Sequence, residues 1–297
     1  MTATRAAWAD KGTYFSQTRS IRCGSLVLDL SKPVVMGILN VTADSFYDGG
    51  QYLTPSQITD RAGEMLQAGA AILDIGALST RPGTHGGLAE EEAEKLIPAI
   101  ELVRRHFPEA MISADTYRSS VAKLAVDAGA VIVNDISGGT MDENMLGFML
   151  ASEAAYVLMH IQGTPATMQQ KPVYANVVAE VKAFFEKQLQ PFVDAGKQNI
   201  ILDPGFGFGK DVHHNYQLLA GFADFAESGF PLLAGVSRKS MINKVLQIKP
   251  SQALNGTTVL NTIALMNGAN ILRVHDVKEA VEAVKLFDAL QEYAPNP

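Results

Sequence analysis

The chain is poor in cysteine and in long hydrophobic runs. Of its 297 residues only Cys23 is a cysteine, which excludes an internal disulfide framework and fits a reducing compartment. No apolar run approaches the ~20 residues needed to cross a bilayer. Residues 1–20 mix Arg, Asp and Lys without an apolar stretch, so no secretory signal is visible. Positive charge is short as well: 24 Lys and Arg against 31 Asp and Glu leave a net charge of −7. That balance argues against broad nucleic-acid or anionic-membrane binding and leaves room only for a local basic site. No Pro-, Gly- or Ser-rich linker divides the sequence. His85, His106, His213 and His214 lack the spacing of a zinc site and are assigned to the surface. No serine nucleophile elbow or Cys–His pairing stands out. The expectation is a cytoplasmic enzyme with a polar extension over residues 1–20 and one domain over 21–297.

What is present is a repeated unit. Eight short apolar runs recur, and almost every one ends in a polar residue. Val34–Leu39 ends at Asn40, Ala71–Ile75 carries Asp74, Met111–Ala114 ends at Asp115, and Val131–Val133 at Asn134. Tyr156–Met159 ends at His160, Ile200–Leu202 at Asp203, Leu232–Val236 at Ser237-Arg238-Lys239, and Ile271–Leu272 at Arg273. Apolar runs without alternation suit strands buried on both faces, and helix-like segments separate them. The spacing predicts a single (β/α)8 TIM barrel, whose active site lies at the carboxyl ends of its strands. Cys23–Leu30 reads as a small hairpin beneath the barrel. Thr54-Pro55-Ser56-Gln57 offers an N-cap, a first-turn proline and a capping-box partner. Asp276 is placed to cap the last helix, with Val277, Val281, Val284 and Leu290 on one face.

The chemistry sits after the strands. The loop following Asn40 is polar, with Asp44 and Asp48, and its oxygens suit a hard cation such as Mg²⁺; a solvated loop is the plainer reading. Ser79-Thr80-Arg81-Pro82-Gly83 is a candidate anion clamp, because a guanidinium matches phosphate geometry. Asp115, Asn134 and Asp203 end three different strands. Converging at a barrel mouth, they accept from and donate to a flat, nitrogen-rich ring. Asp203-Pro-Gly-Phe-Gly-Phe-Gly-Lys210 lacks dinucleotide-fingerprint spacing; its phenylalanines either wall an aromatic substrate or belong to the core. Ser237-Arg238-Lys239-Ser240 and Arg273-Val274-His275 end the last two strands, where barrels often bind phosphate. Alternation puts Arg273 and His275 on one side.

Taken together and in this order, Met36–Gly50, Asp74–Gly83, Asp115-Thr116, Asn134–Ser137, Met159–Gln169, Asp203–Lys210, Gly235–Ile242 and Arg273–Val277 resemble the dihydropteroate synthases. The resemblance spans about residues 24–292. It implies joining of 6-hydroxymethyl-7,8-dihydropterin pyrophosphate to p-aminobenzoate, with Mg²⁺ as cofactor and a homodimer as the assembly. It further implies that Asp115, Asn134, Asp203 and Lys239 bind the pterin and that Asn40 sits at the Mg²⁺–pyrophosphate. Arg81, Arg273 and His275 would hold phosphate oxygens. Thr80, Pro82, Phe208 and Ser240 would shape the p-aminobenzoate pocket, with Phe46 closing over it. Lys239, Arg273, His275, Arg81 and Asp115 are the expected catalytic set. Three positions depart from the family pattern: Ala43 stands where Pro is common, Tyr47 where Ser is frequent, and Leu78 where Glu usually precedes Ser-Thr-Arg-Pro. Two alternatives stay open: a non-catalytic pterin-binding paralogue, supported only by Leu78 and Ala43, or a pterin-dependent methyltransferase domain. The latter would not need the Ser-Thr-Arg-Pro clamp or Arg238-Lys239-Ser240.

Overall fold

The structure of the chain, a computed structural model, describes residues 20–41, 53–78 and 87–293. Strands β1 (Ser20–Cys23) and β2 (Leu26–Asp29) pair antiparallel, with Ile21 opposite Leu28. The hairpin thus begins three residues before the expected Cys23. Its first strand shows the buried–exposed alternation of a one-sided ribbon, with Ile21 and Cys23 inward, a pattern only weakly marked in the sequence. Strand and helix then alternate. The first half runs β3 (Val34–Asn40), α1 (Pro55–Gln67), β4 (Ile72–Gly76), α2 (Ala89–His106), β5 (Met111–Asp115), α3 (Ser119–Asp127), β6 (Ile132–Asp135) and α4 (Met145–Ala151). The second half runs β7 (Ala155–Met159), α5 (Val177–Asp194), β8 (Ile200–Asp203), α6 (Val212–Ala220), β9 (Leu233–Ala234), α7 (Ser240–Leu246), α8 (Leu254–Met266), β10 (Ile271–Val274) and α9 (Val277–Glu292).

Strands β3 to β10 form one parallel sheet in the order β8-β7-β6-β5-β4-β3-β10-β9. A parallel bridge between Leu202 and Leu232 brings its two edges together. Closure removes the sheet edges, and the helices cover the outside, giving the (β/α)8 barrel. The β9 ladder is shorter than the expected Leu232–Val236. The Leu232 amide is bonded by the Asn270 side chain, and beyond Ala234 the chain turns toward α7.

Two separate apolar clusters divide the strands by face. Val35, Leu39, Leu73, Ile75, Ile112, Val133, Tyr156, Leu158, Leu202 and Leu272 face the helices. Met36, Ile72, Ile132, Ala155, Val157, Ile201, Leu233 and Ile271 fill the lumen at its amino end, where Ile21, Cys23, Leu28 and Leu30 of the hairpin plug it. The period of two along each strand then sets which later side chains point inward. Asn40, Asp74, Asp115, Asn134, Asp203, Arg273 and His275 lie on the lumen side, one or two layers above the apolar plug. The lumen changes from hydrocarbon to charge along the barrel axis, and the polar residues collect at one mouth.

Local signals place the helices. Thr54 caps α1, with its side chain accepting from the Gln57 amide and Gln57 returning to the Thr54 amide. Asp276 occupies the cap position of α9 but makes no side-chain cap bond, because its carboxylate is taken by Arg238. The buried face of α9 is Val277, Ala280, Ala283, Val284 and Phe287; Val281 is half-buried and Leu290 is exposed, contrary to expectation. Of the expected surface histidines, His106 and His213 are exposed and His214 is half-buried, while His85 lies outside the described residues. Among the described residues no helix is long and apolar enough to cross a membrane.

Candidate active site

The centre of the mouth is one guanidinium between carboxylates. Arg273 donates from Nε to Asp74 Oδ2 at 2.6 Å and from Nη2 to Asp115 Oδ2 at 2.7 Å. Asn134 Nδ2 also donates to Asp74 Oδ2, at 2.9 Å. The strand order explains the convergence. Asp74 and Asp115 face inward from neighbouring strands β4 and β5, and Asn134 pairs in register with Asp115. Arg273 reaches them across β3. Asp74 is fully buried, and its Oδ1 has no partner among the described residues. Burial pushes the Asp115 carboxyl up to about 7 against the pull of Arg273. The two carboxylates hold Arg273 above the ordinary range of its guanidinium.

A second pair sits across the mouth. Burial raises Asp203, opposed chiefly by the Lys239 ammonium, while burial lowers Lys239 to about 8, opposed by Asp203. A Cβ on Gly235 would stand 3.8 Å from Asp203 Oδ2 and 3.9 Å from Lys239 Nζ, so glycine there leaves open the space both groups border. Lys239 donates to the Phe206 carbonyl and lies 4.5 Å from the centroid of the Phe208 ring. The two phenylalanines therefore part company: Phe206 is buried against Phe222, and half-buried Phe208 borders the site. Ser240 is the exposed first residue of α7, next to Lys239. Asn40 ends β3, with Oδ1 placed 3.3 Å and Asp115 Oδ2 3.5 Å from where a Cβ on Gly76 would sit. His275 is buried and pushed down to about 4, by burial first and then by Arg273. Phe46, Thr80, Arg81 and Pro82, with Ala43 and Tyr47, lie outside the described residues.

Several polar residues near the mouth, most of them buried, escape a reading by motif alone. Asp74 is visible in the sequence as a strand end but not as the partner of Arg273. Lys210 closes the Asp203 phrase and is 1% exposed. Its Nζ donates to the Gly205 and Phe208 carbonyls at 3.0 and 3.1 Å and to His160 Nδ1 at 2.9 Å. That knot ties the loops after β7 and β8 together beneath Asp203, whose Oδ1 in turn accepts from the Gly205 amide at 2.8 Å. His160 is thereby fixed as a neutral acceptor, pushed down to about 2 by burial and by Lys210. Arg118 pairs with buried Glu92 and bonds the Gly87 carbonyl, anchoring the far end of the second loop.

An inward-facing set of two carboxylates on one guanidinium, a carboxylate and an ammonium that oppose each other's burial, and an amide, all at the carboxyl ends of parallel strands, is the arrangement of a (β/α)8-barrel enzyme suited to a polar ring beside an anion. Residues 36–275 match the family described as pterin binding enzyme. Dihydropteroate synthase of Escherichia coli K12 is 46% identical over 264 residues, 88% of this chain and 93% of that one. The Haemophilus influenzae protein of the same name is 42% identical over 88% of this chain and 95% of its own. Among solved structures, Yersinia pestis dihydropteroate synthase with a sulfonamide drug complex superposes with a TM-score of 0.87 at 41% identity, covering 92% of this chain and 99% of that one. Xanthomonas albilineans dihydropteroate synthase with 4-aminobenzoic acid gives 0.85 at 36% identity, covering 93% and 99%. The chain belongs to the pterin-binding enzyme family and, within it, to the dihydropteroate synthases.

Proposed function

We propose that this single barrel domain, residues 21–297, joins 6-hydroxymethyl-7,8-dihydropterin pyrophosphate to p-aminobenzoate, releasing 7,8-dihydropteroate and pyrophosphate in folate biosynthesis. The observation that carries the reading is the convergence of Asp115, Asn134, Asp203, Lys239 and Arg273 on one mouth. Asp115, Asn134, Asp203 and Lys239 bind the pterin. Carboxylates accept from its amino and ring N–H groups, and the ammonium and amide donate to its lactam side. Arg273 commits Nε and one N–H of Nη2 to Asp74 and Asp115, which leaves Nη1 and the second N–H of Nη2 for a phosphate oxygen among the described residues. His275 and Arg81 hold further phosphate oxygens. Phe208, with its ring beneath the Lys239 ammonium, forms the p-aminobenzoate pocket together with Phe46, Thr80, Pro82 and Ser240.

In the reaction the methylene–oxygen bond breaks and its electron pair leaves with pyrophosphate. The amine lone pair of p-aminobenzoate forms the new C–N bond, and that nitrogen then gives its proton to water or to the released pyrophosphate. Positive character grows on the pterin methylene and negative charge on the leaving group. Asp115 faces the first and Arg273 and His275 the second, so the chain supplies preorganised charge and position rather than a nucleophile. Among the described residues no group of three or more His, Cys, Asp or Glu could hold a metal. A Mg²⁺ site built from few protein oxygens plus substrate phosphates nonetheless fits Asn40, whose Oδ1 borders the same space beside Gly76 as Asp115 Oδ2. Bound there, Mg²⁺ would screen the pyrophosphate charge.

We assign the chain to the cytoplasm, as its lone buried Cys23 suits. A homodimer is supported by α8, whose inner residues Leu260, Ala264 and Leu265 are buried while Val259, Ile263 and Met266 are exposed on its outer side. Pyrophosphate release from purified protein, with and without p-aminobenzoate, tests the reaction. Release that depends on p-aminobenzoate supports it, and absence of release with both substrates present overturns it. Chelation is expected to weaken pyrophosphate binding in calorimetry and to slow turnover; full affinity and rate after chelation would remove Mg²⁺ from the account.

A further inference from the structure

Strands β9 and β10 pair with Leu233 opposite Ile271 and Ala234 opposite Leu272. Carrying that register past the ladder sets Ser237 beside His275 and Arg238 beside Asp276, and the side chains meet in those pairs. Ser237 Oγ accepts from the His275 amide at 3.2 Å and lies 3.1 Å from His275 Nδ1. Arg238 grips Asp276 with Nε at 2.8 Å and Nη2 at 2.7 Å, and its Nη1 donates to the Pro250 carbonyl at 2.9 Å. Arg238 sits at φ +55°, an uncommon left-handed conformation for a residue with a side chain. That turn sends the guanidinium to Asp276, in the rim of the barrel, while Ser237 stays on the lumen side.

We propose that Ser237 is a positioning residue that fixes His275 as the neutral imidazole with its proton on Nε2, and that Arg238 holds Asp276 away from the ring. The hydrogen count supports this. The His275 amide is a donor, so it uses a lone pair of Ser237 Oγ and not its proton. Among the described residues the hydroxyl proton then has one acceptor, Nδ1. An Nδ1–H ring would leave the buried hydroxyl with two donors facing it and its own proton unplaced. The charges facing the ring agree. Burial disfavours the imidazolium first, and among the described residues the charges facing the ring add to it: Arg273, Arg238 and Arg61 are cationic against the single anion Asp276. With Asp276 bound twice by Arg238, its carboxylate is not free to take the ring proton. The product is a neutral N–H donor at the mouth, beside the cation Arg273. Its use rests on the proposed function, in which pyrophosphate occupies that mouth: Nε2–H binds a phosphate oxygen without any proton moving.

The test is ¹⁵N-detected imidazole spectroscopy on histidine-labelled protein, with the His275 signals assigned by loss in His275→Gln. The expected wild-type signature is an unprotonated Nδ1 and a protonated Nε2. In Ser237→Ala the His275 signals should move toward a mixture of tautomers. His160, whose Nδ1 accepts from Lys210 and which has no hydrogen bond to Ser237 or His275, should keep its spectrum and so report an intact fold. Pyrophosphate affinity of Ser237→Ala should fall roughly tenfold, the effect of losing one ordered hydrogen bond. A protonated Nδ1 in the wild type, or an unchanged His275 signature in Ser237→Ala, overturns the proposal. A changed signature with undiminished pyrophosphate affinity upholds the positioning role and instead removes His275 from the phosphate contacts.

Discussion

Gly205 shows how tightly single residues are constrained at this mouth. Its φ is +73°, and a Cβ there would meet the His160 carbonyl oxygen at 1.9 Å, a backbone atom that cannot move aside cheaply. Its amide also holds Asp203, and its carbonyl takes Lys210. Gly205→Ala is therefore expected to cost about 2–4 kcal/mol of stability through strain and collision and to lower pterin affinity by displacing Asp203. Calorimetric titration with a pterin checks it, and wild-type affinity would mean that the knot beneath Asp203 does not position it. Charge at the mouth gives a second residue-scale expectation. Asp115 is pushed up to about 7 and Lys239 down to about 8. The roles assigned to them need Asp115 ionised, hence pH above about 7, and Lys239 protonated, hence pH below about 8. The pH profile of kcat/KM for the pterin substrate should be a narrow bell with limbs near those values. Asp115→Asn should lose the acid limb and keep the alkaline one; an acid limb that survives the substitution belongs to another group.

At the scale of elements, the hairpin of β1 and β2 and the strand ends answer to different demands. Leu28 is 4% exposed and packs in the lumen plug with Met36, Ile72 and Ile201, at the amino end of the barrel. Leu28→Ala should cost about 2–5 kcal/mol in chemical denaturation while leaving pterin affinity unchanged, because the charged layer sits at the opposite end. A matching loss of pterin affinity would show that plug and mouth are coupled. The same division governs how much of the molecule is legible in the chain alone. The barrel is legible because hydrocarbon runs ending in a polar residue are what a closed parallel sheet requires, whereas the pairing of residue to substrate is a proposal that rests on the family resemblance. Three things are hidden. Arg238 lies in a motif of cationic and hydroxyl residues, and only its left-handed backbone sends it to Asp276. Lys210 and His160 meet through loops 50 residues apart in the chain. Phe206 and Phe208 differ by two positions, and nothing in Gly-Phe-Gly-Phe-Gly says which joins the core. Each depends on a turn or a long-range contact, where side-chain period carries no information. The expected cap at Asp276 fails for the same reason, since a stronger ionic partner competes for its carboxylate.

At the scale of the whole molecule, the feature that the barrel does not explain is the outer surface of α8. A helix that covers a barrel normally buries one stripe and presents charge on the other. The sequence of α8, Leu-Asn-Gly-Thr-Thr-Val-Leu-Asn-Thr-Ile-Ala-Leu-Met, contains no charged residue. Val259, Ile263 and Met266 recur at helical spacing on the solvent side and are 50%, 38% and 37% exposed. On the neighbouring helices Val245 and Leu246 of α7 and Leu286 and Leu290 of α9 are also exposed. A standing apolar surface of this kind marks an interface, and a twofold assembly brings the same patch together with itself. Introducing a carboxylate at the centre of such a patch sets it in apolar surroundings, close to its symmetry mate, without touching the buried stripe of Leu260, Ala264 and Leu265. Ile263→Glu should therefore convert a dimer into a folded monomer. Sedimentation equilibrium at micromolar concentration reads the mass directly, and circular dichroism verifies the fold. A wild-type chain that sediments as a monomer, or an Ile263→Glu chain that keeps the dimer mass, would show that this face does not join two copies.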